Sequence, residues 1–274
     1  MQNYHKHSCY SEGDSAAMLE DYAKRAVELG HKVLSSVEHG WQGYYYGCFE
    51  LAKKYNLKFV FGTEAYWVKD RAEQDKTNAH IIILARNENG RRAINRILSD
   101  ANETGFYYKP RVDLALLLSL PPKDVFITSA CVAFWKYPDI EDIIVRLHNH
   151  FKDNFLLEIQ AHNTETQKQL SLRTKELSKK YGIRMIVGLD SHYIYPEESV
   201  ERDDILAGRN IRYDDAEIGW YMDYPDDKTV VERFLKQGVF NEIEIKDAMA
   251  EKFYAVLKHK ILHRCVSVSY ITQL

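Results

Sequence analysis

The sequence predicts an α/β fold with a parallel sheet, and three observations lead to that prediction. Short apolar runs of strand length alternate with longer amphipathic runs of helical period over the first 200 residues. The chain has 274 residues, enough to bury the core of one α/β barrel. No low-complexity linker interrupts the alternation before about residue 200, so the sequence indicates one domain up to that point.

The elements follow in order along the chain. Each strand is predicted from a short apolar run, and the runs are 3–7, 31–39, 57–67, 79–86, 123–131, 154–162 and 184–192. Helices are predicted where apolar residues recur at helical spacing, at 16–30, 42–55, 89–101, 140–151 and 165–181. Strand, helix and strand in repetition predict βαβ units, and these form parallel sheets.

The composition narrows the class of protein. Charge is nearly balanced, with 37 Lys and Arg against 40 Asp and Glu, and no block of like charge stands out. This weakens the case for nonspecific DNA binding, which depends on phosphate neutralisation. The four cysteines are widely spaced, which disfavours a disulfide framework or a zinc ribbon. We find neither a signal-peptide pattern nor an 18-residue apolar run, so we expect a soluble, cytoplasmic protein that does not enter a membrane.

Side chains able to bind metals cluster at the ends of the predicted strands. They are His5, His7, His39, Glu64, Asp190 and His192, and Cys131 closes the fifth run in the same way. The carboxyl ends of barrel strands converge on one face, so we expect these groups to meet there. His80 is an exception because it lies near the start of its run. Imidazole, carboxylate and thiolate together suit zinc, manganese or iron better than calcium.

Each of these residues has a structural alternative when it is taken alone. His39 fits a hydrogen-bonded loop histidine, and Cys131 fits a small buried apolar residue. Glu64 and Asp190 fit helix caps. The alternatives require an independent coincidence at every strand end, whereas one shared metal site explains all the positions together.

Seven ordered segments resemble the motifs of the polymerase-and-histidinol-phosphatase (PHP) family. They are "HKHSCYSEGD", "SSVEHG", "FGTEAYW", "HIIILARNENG", "ITSAC", "LEIQAH" and "GLDSHY". Among the branches of the family they are most similar to the N-terminal module of the bacterial DNA polymerase III alpha subunit. Residues 105–113 and 223–234 also match segments typical of that module, and the resemblance covers about residues 3 to 250.

The resemblance implies a distorted seven-stranded (β/α) barrel with up to three divalent metal ions at the carboxyl ends of the strands. It assigns His5, His7, Glu64 and Asp190 to the first ion, His80 and Cys131 with a bridging Glu64 to the second, and Asp14, His39 and His192 to the third. It also divides the chain into a barrel at 1–200, an extension at 201–250 and an unassigned tail at 251–274.

Two positions depart from the family pattern. Glu38 stands where the family usually has aspartate, and we expect it to orient His39. Phe134 and Trp135 follow "TSACVA" where a small residue and glycine are usual, and they fit either a stacking platform for a base or packing on the barrel rim. Residues 44–46, "YYY", leave the same two alternatives open.

The predicted chemistry is hydrolysis of a phosphoester at clustered metal ions. Glu64 would hold two ions together, and Asp190 or His192 would transfer a proton. Lys109 and Arg111 would bind a substrate phosphate or remain solvated loop charges.

Three functions fit this site. The first is exonuclease-like removal of nucleotides from the 3′ end of a nucleic acid. The second is a phosphatase for a nucleotide or for histidinol phosphate. The third is a non-hydrolytic, metal-stabilised module that docks on a replication polymerase. We expect no polymerase activity from these 274 residues.

Overall fold

A curled β-sheet forms a half-barrel at the centre of the molecule. The computed structural model describes residues 1–11, 13–42, 44–130, 132–211, 219–251 and 253. Its strands are β1 (Val33–Ser36), β2 (Lys58–Trp67), β3 (Ala79–Ala85), β4 (Phe106–Tyr107), β5 (Lys109–Val112), β6 (Val125–Thr128), β7 (Phe155–Ile159) and β8 (Met185–Val187). Their order is β4-β5-β2-β3-β6-β7-β8, with β1 paired to β2.

Nine helices cover the sheet in the described residues. Their bounds are α1 (Leu19–Glu28), α2 (Tyr45–Lys54), α3 (Glu88–Thr104), α4 (Leu114–Leu118), α5 (Ile140–Phe151), α6 (Glu165–Tyr181), α7 (Ser199–Gly208), α8 (Asp227–Gln237) and α9 (Glu242–Ala250). Each of the five predicted segments corresponds to one of them, whereas the short helix after β5 and the three helices after residue 198 were not predicted. Side-chain caps fix several starts: Asn87 accepts from the Gly90 amide before α3, and Thr164 accepts from the Gln167 amide before α6. None of the helices in the described part of the chain is both long and apolar enough to span a bilayer.

The prediction of an α/β barrel-like sheet is confirmed, but the prediction that all its strands run parallel is wrong at β3. This strand is antiparallel to both β2 and β6, and its first residues pair with the last residues of β2, Tyr66 with His80. The start of β3 therefore lies at the edge where β2 ends. His80 reaches the site edge for this reason, although it begins its strand.

A short hairpin of β4 and β5 was not predicted. Its turn residue, Tyr108, has a left-handed backbone with φ of 61°, and β5 pairs in parallel with the end of β2, Tyr66 with Arg111. The hairpin therefore extends the sheet at the same edge as His80.

The extended N-terminal segment joins the end of β8 to the neighbourhood of β1. Lys6 forms a bridge with Ser191, the His7 amide donates to the Ser191 carbonyl at 2.7 Å, and Ser35 Oγ donates to the Asn3 carbonyl at 3.4 Å. These contacts place His5 and His7 beside the residues that follow β8.

Residues beyond 200 bury apolar side chains in the same core as the sheet, among them Phe234 and Ile245. The division at residue 200 remains a prediction. The proposed tail at 251–274 lies almost wholly outside the described residues.

Candidate metal centre

The structure brings eight of the nine sequence-predicted ligands together at one edge of the sheet. Glu64 lies in β2, three residues before its last residue, and His80 lies at the start of β3, and the others lie on loops at the same edge. The ninth, Cys131, lies outside the described residues. The eight are His5, His7, Asp14, His39, Glu64, His80, Asp190 and His192.

Glu64 lies at the centre of this cluster. Its Oε1 is 3.4 Å from His5 Nε2 and 3.3 Å from His80 Nδ1, and its Oε2 is 2.9 Å from both His7 Nε2 and His39 Nδ1. Both oxygens are buried, and neither has a hydrogen-bond partner among the described residues. Two ligands of a tetrahedral ion, each about 2.0–2.1 Å from it, lie about 3.3 Å apart. The spacing around Glu64 therefore fits atoms that converge on cations.

Asp190 and the two N-terminal histidines form a second compact group. Asp190 Oδ1 lies 3.1 Å from His5 Nε2 and 3.3 Å from His7 Nε2, and the two Nε2 atoms are 3.3 Å apart. Asp190 has a left-handed backbone, φ of 49°, a conformation that aspartate tolerates better than most residues. Two imidazole lone pairs at this separation require a proton or a cation between them.

Asp14 connects two further histidines. Its Oδ2 lies 3.0 Å from both His39 Nε2 and His192 Nε2. His39 also directs its Nδ1 at Glu64, so this ring lies between two groups of candidate ligands. Arg202 of α7 donates from Nη2 to the other carboxylate oxygen, Oδ1, at 3.0 Å and from Nε to the Asp14 carbonyl at 3.1 Å.

Hydrogen bonds fix the orientation of three rings. His5 Nδ1 is 2.6 Å from Glu158 Oε1, His7 Nδ1 is 3.0 Å from Ser11 Oγ, and His192 Nδ1 is 2.8 Å from the Asp190 carbonyl. Each partner accepts a proton from Nδ1, which leaves the Nε2 lone pair directed into the cluster. This is the tautomer that lets these three rings bind a metal through Nε2.

Glu158 was missed by the sequence reasoning. Its buried carboxylate accepts from His5, from Thr128 Oγ1 at 2.7 Å and from Gln160 Nε2 at 3.1 Å. Glu158 lies within an apolar strand, and the presence of one glutamate in that apolar run was the signal available from the sequence.

Glu38 does not act where we expected it to. Its carboxylate accepts from Ser8 Oγ and Ser11 Oγ, each at 2.6 Å, and from the Ser8 amide at 3.1 Å. Ser11 in turn accepts from the His7 ring at 3.0 Å and from the His39 backbone amide at 3.4 Å, so Glu38 orients the ring of His7 and not that of His39. The extra methylene of glutamate, compared with aspartate, extends the carboxylate toward both serines.

The charges of the cluster shift its ionisation strongly. Burial lowers the pKa of His5, but the carboxylates of Asp190, Glu158 and Glu64 outweigh it and raise this pKa well above its usual value. Burial raises the pKa of the Glu64 carboxyl, and the surrounding imidazoles, His80 foremost, hold it well below its usual range. The cluster is thus an anionic pocket that holds protons or cations.

The two basic residues considered from sequence, and Lys6 between His5 and His7, lie in different surroundings. Arg111 is 2% exposed, and its guanidinium donates to four backbone carbonyls of the chain itself, those of residues 71, 73, 75 and 105. Lys109 is exposed, with Nζ 4.9 Å from the centre of the Tyr66 ring, which stacks on His39. Lys6 points away from the site and donates to the Ser35 carbonyl.

The aromatic residues separate into packing and exposed groups. Phe134 and Trp135 are buried, and Phe134 lies edge-on to Trp67, so both pack into the core. Tyr44 is 52% exposed and stacks on Tyr10 at 5.1 Å. Trp41 is 46% exposed, and its Nε1 donates to the Tyr10 carbonyl. We call Tyr10, Trp41 and Tyr44 the aromatic rim.

The half-barrel and the cluster at its edge define an α/β protein with a candidate multinuclear metal centre. The PHP domain family model matches residues 3–162, and the chain therefore belongs to the PHP family.

Known proteins similar to this chain fall into two groups. DNA polymerase III subunit alpha of Aquifex aeolicus is 28% identical over 221 residues, and that of Treponema pallidum is 30% identical over 220, each match covering 74% of this chain. The chain spans about a fifth of the length of these relatives, 19% and 18%. A Bifidobacterium adolescentis protein, provisionally described as a metal-dependent phosphoesterase, has a similar fold, with a TM-score of 0.50 and 13% identity over 88% of this chain and 97% of its own.

Proposed function

We propose that this chain is a metal-dependent phosphoesterase that hydrolyses phosphoester bonds of nucleic acids or nucleotides. The observation that carries the proposal is Glu64, whose two buried carboxylate oxygens face four imidazoles without a hydrogen bond among the described residues. A buried carboxylate without a charged partner carries a large desolvation free energy, and bound cations would offset it.

The donor set fits zinc, manganese or iron, in up to three ions. His5, His7 and Asp190 would hold one ion with Glu64, and His39, Glu64 and His80 would share another, with Cys131 as the sequence predicts. His39, His192 and Asp14 would hold the third. Such ions, when bound, activate water as a nucleophile and neutralise charge on a phosphoryl group.

The chain's own residues would then position and transfer protons. Asp190 and His192 lie side by side, with His192 Nδ1 3.7 Å from Asp190 Oδ1. Burial raises the pKa of the Asp190 carboxyl, but the imidazoles, His5 foremost, hold it well below its usual value, so Asp190 would accept a proton and His192 would donate one to the leaving oxygen. Lys109 is placed at the rim beside Tyr66, where its ammonium group would attract a phosphate.

Replacing Arg202 with glutamine is expected to weaken one ion selectively. Arg202 holds Asp14 Oδ1, so Oδ2 stays directed at His39 and His192. Without Arg202, we expect the affinity of Asp14, His39 and His192 for their metal ion to fall roughly 10- to 100-fold. Metal analysis after dialysis should show one ion fewer per chain, while exposed Arg173→Gln keeps the full content. Unchanged metal content in the Arg202 variant would show that Asp14 binds the ion without the hydrogen bond from Arg202.

Two features favour a nucleotide-containing substrate. The relatives are subunits of a DNA polymerase, and the aromatic rim exposes rings on loops that carry candidate ligands. Trp41 follows His39 by two residues, and rings exposed at such a site suit base stacking. We infer that the reaction removes nucleotides from a 3′ end in the cytoplasm.

A second candidate is a docking module for a replication polymerase, and the similarity of the chain to polymerase subunits favours it. A module retained for docking needs no complete ligand set, so the eight convergent side chains make hydrolysis the better proposal.

Incubation of the purified chain with manganese and 5′-labelled single-stranded DNA tests the proposal. We expect stepwise shortening from the 3′ end that stops with a chelator and in Asp190→Asn, since that change removes an anion between His5 and His7. A phosphate ester without a base and a free mononucleotide serve as parallel substrates. Release of phosphate from these alone identifies a small-molecule phosphatase, and metal binding without hydrolysis identifies the docking module.

A further inference from the structure

His162 is a buried histidine that the site described above does not use. It follows β7, three residues after Ile159, and is 1% exposed. Its strand also carries Glu158, the partner of His5. β7 runs parallel to β8, so His162 lies at the sheet edge where Asp190 and His192 follow β8. The segment that contacts His162 through Tyr221 also accepts the His192 amide, at the Met222 carbonyl at 2.7 Å, which places the ring beside the candidate metal centre.

The ring is held on two sides. The Tyr221 amide donates to His162 Nδ1 at 3.0 Å, and the indole of Trp220 stacks on the imidazole with ring centres 4.7 Å apart and planes 13° apart. Asn163 continues this contact because its amide donates to the Gly219 carbonyl at 2.8 Å. The side chain therefore has a fixed position.

These contacts determine where the proton is. Because Nδ1 accepts from a backbone amide, its lone pair is occupied, and the neutral ring carries its proton on Nε2. Burial lowers the pKa of His162 to about 4, so the ring is neutral near pH 7. His162 is thus the reverse of His5, His7 and His192, which keep the proton on Nδ1.

The Nε2–H group has no acceptor among the described residues, although the atom is buried. The Nε1–H group of Trp220, in the ring stacked on it, also lacks one there. Buried donors without acceptors are rare in native proteins, and two adjacent ones indicate a ligand rich in acceptor oxygens.

We propose that His162 is a further substrate-binding residue, whose Nε2–H donates a hydrogen bond to a phosphoryl oxygen of the ester at the candidate metal centre. The inference rests on the proposed function and adds an oxyanion subsite to it. A phosphoryl group supplies the anionic acceptor, and a neutral donor binds it without competing for the cations. His162 is not a metal ligand, because its Nε2 carries a proton.

Zinc-loaded protein with ¹⁵N-labelled histidine tests the subsite directly. Long-range ¹H–¹⁵N spectra should show His162 with the proton on Nε2, and its signal should move saturably as inorganic phosphate is added. A signal that phosphate leaves in place would overturn the proposal and assign the acceptor to a buried water. A spectrum with an unprotonated, metal-bound Nε2 would also overturn it.

Two variants give a second measurement. His162→Phe keeps a ring against Trp220 and removes the donor, so we expect the inhibition constant of phosphate to rise roughly 10- to 100-fold at unchanged metal content. His162→Gln offers an amide N–H and should recover part of this loss. His150→Gln, whose histidine contacts the Leu120 carbonyl instead, is the matched control.

The outcomes separate this inference from the proposed function. Hydrolysis and phosphate inhibition that persist unchanged in His162→Phe defeat the subsite and leave the phosphoesterase intact. A wild-type chain that hydrolyses no ester, but whose His162 signal still moves with phosphate, defeats the proposed function and retains the anion subsite. If the variants do not fold, the wild-type spectra decide alone.

Discussion

Replacing Glu64 with glutamine is expected to reduce phosphoesterase activity at least about a thousandfold, equivalent to about 4 kcal/mol of transition-state stabilisation. Glutamine has nearly the same shape, so packing in β2 should survive. It lacks the negative charge that lies within 3.4 Å of four imidazoles and would bridge two ions. Activity assays and metal analysis of the dialysed protein should therefore show a joint loss of turnover and of at least one ion.

Exposed Glu103 on α3 provides the matched control. Glu103→Gln makes the same chemical change at a solvent-exposed carboxylate that is not part of the cluster. It should keep wild-type activity and metal content. Full turnover and full metal content in the Glu64 variant would be incompatible with a central metal-bridging carboxylate. Circular dichroism of both variants checks that the fold is intact.

Much of the site could be predicted from sequence because it lies at strand ends. A strand's apolar run ends where the chain reaches solvent, so His39 and Asp190 are visible as polar residues just past a run. In the structure β1 and β8 are shorter than predicted, and the functional residues lie on the turns beyond them. The predicted helices agree for a similar reason, since caps such as Asn87 and Thr164 are local signals.

The direction of β3 could not be read from its apolar pattern, because burial in a sheet is the same for parallel and antiparallel strands. The link from β2 to β3 spans residues 68–78 without a helix, and a parallel crossover normally contains one. That missing helix, together with His80 at the start of its run, was the signal that β3 runs antiparallel.

Contacts between segments that are distant in the chain also could not be predicted from the sequence. Arg202 reaches Asp14 across 188 positions, and His5 meets Glu158 across 153. No periodicity encodes such pairings, because they depend on how finished elements pack. These pairings also determine which ring nitrogen of each histidine carries the proton. His162 could therefore be distinguished from the candidate metal ligands only once the hydrogen bonds were known.

Replacing Glu158 with glutamine is expected to weaken metal binding roughly 10- to 100-fold without removing any candidate ligand. Glu158 accepts the Nδ1 proton of His5 at 2.6 Å, so His5 keeps its Nε2 lone pair toward Glu64 and Asp190. A neutral amide oxygen still accepts, but it no longer increases the basicity of the ring. Competition titration with a metal-binding dye gives the affinity, and activity should recover when metal is added in excess.

The recovery with metal distinguishes an orienting role from a structural one. Gly188→Ala provides an independent route to the same effect, because a Cβ there would lie 1.9 Å from Glu158 Oε1 and displace the carboxylate. Both variants should therefore share a weakened metal affinity and a turnover that approaches wild type at saturating metal. Exposed Glu232→Gln, 62% accessible at its side chain, should change neither. If Glu158→Gln loses turnover at saturating metal while its affinity stays normal, Glu158 acts on the reaction itself and not through His5.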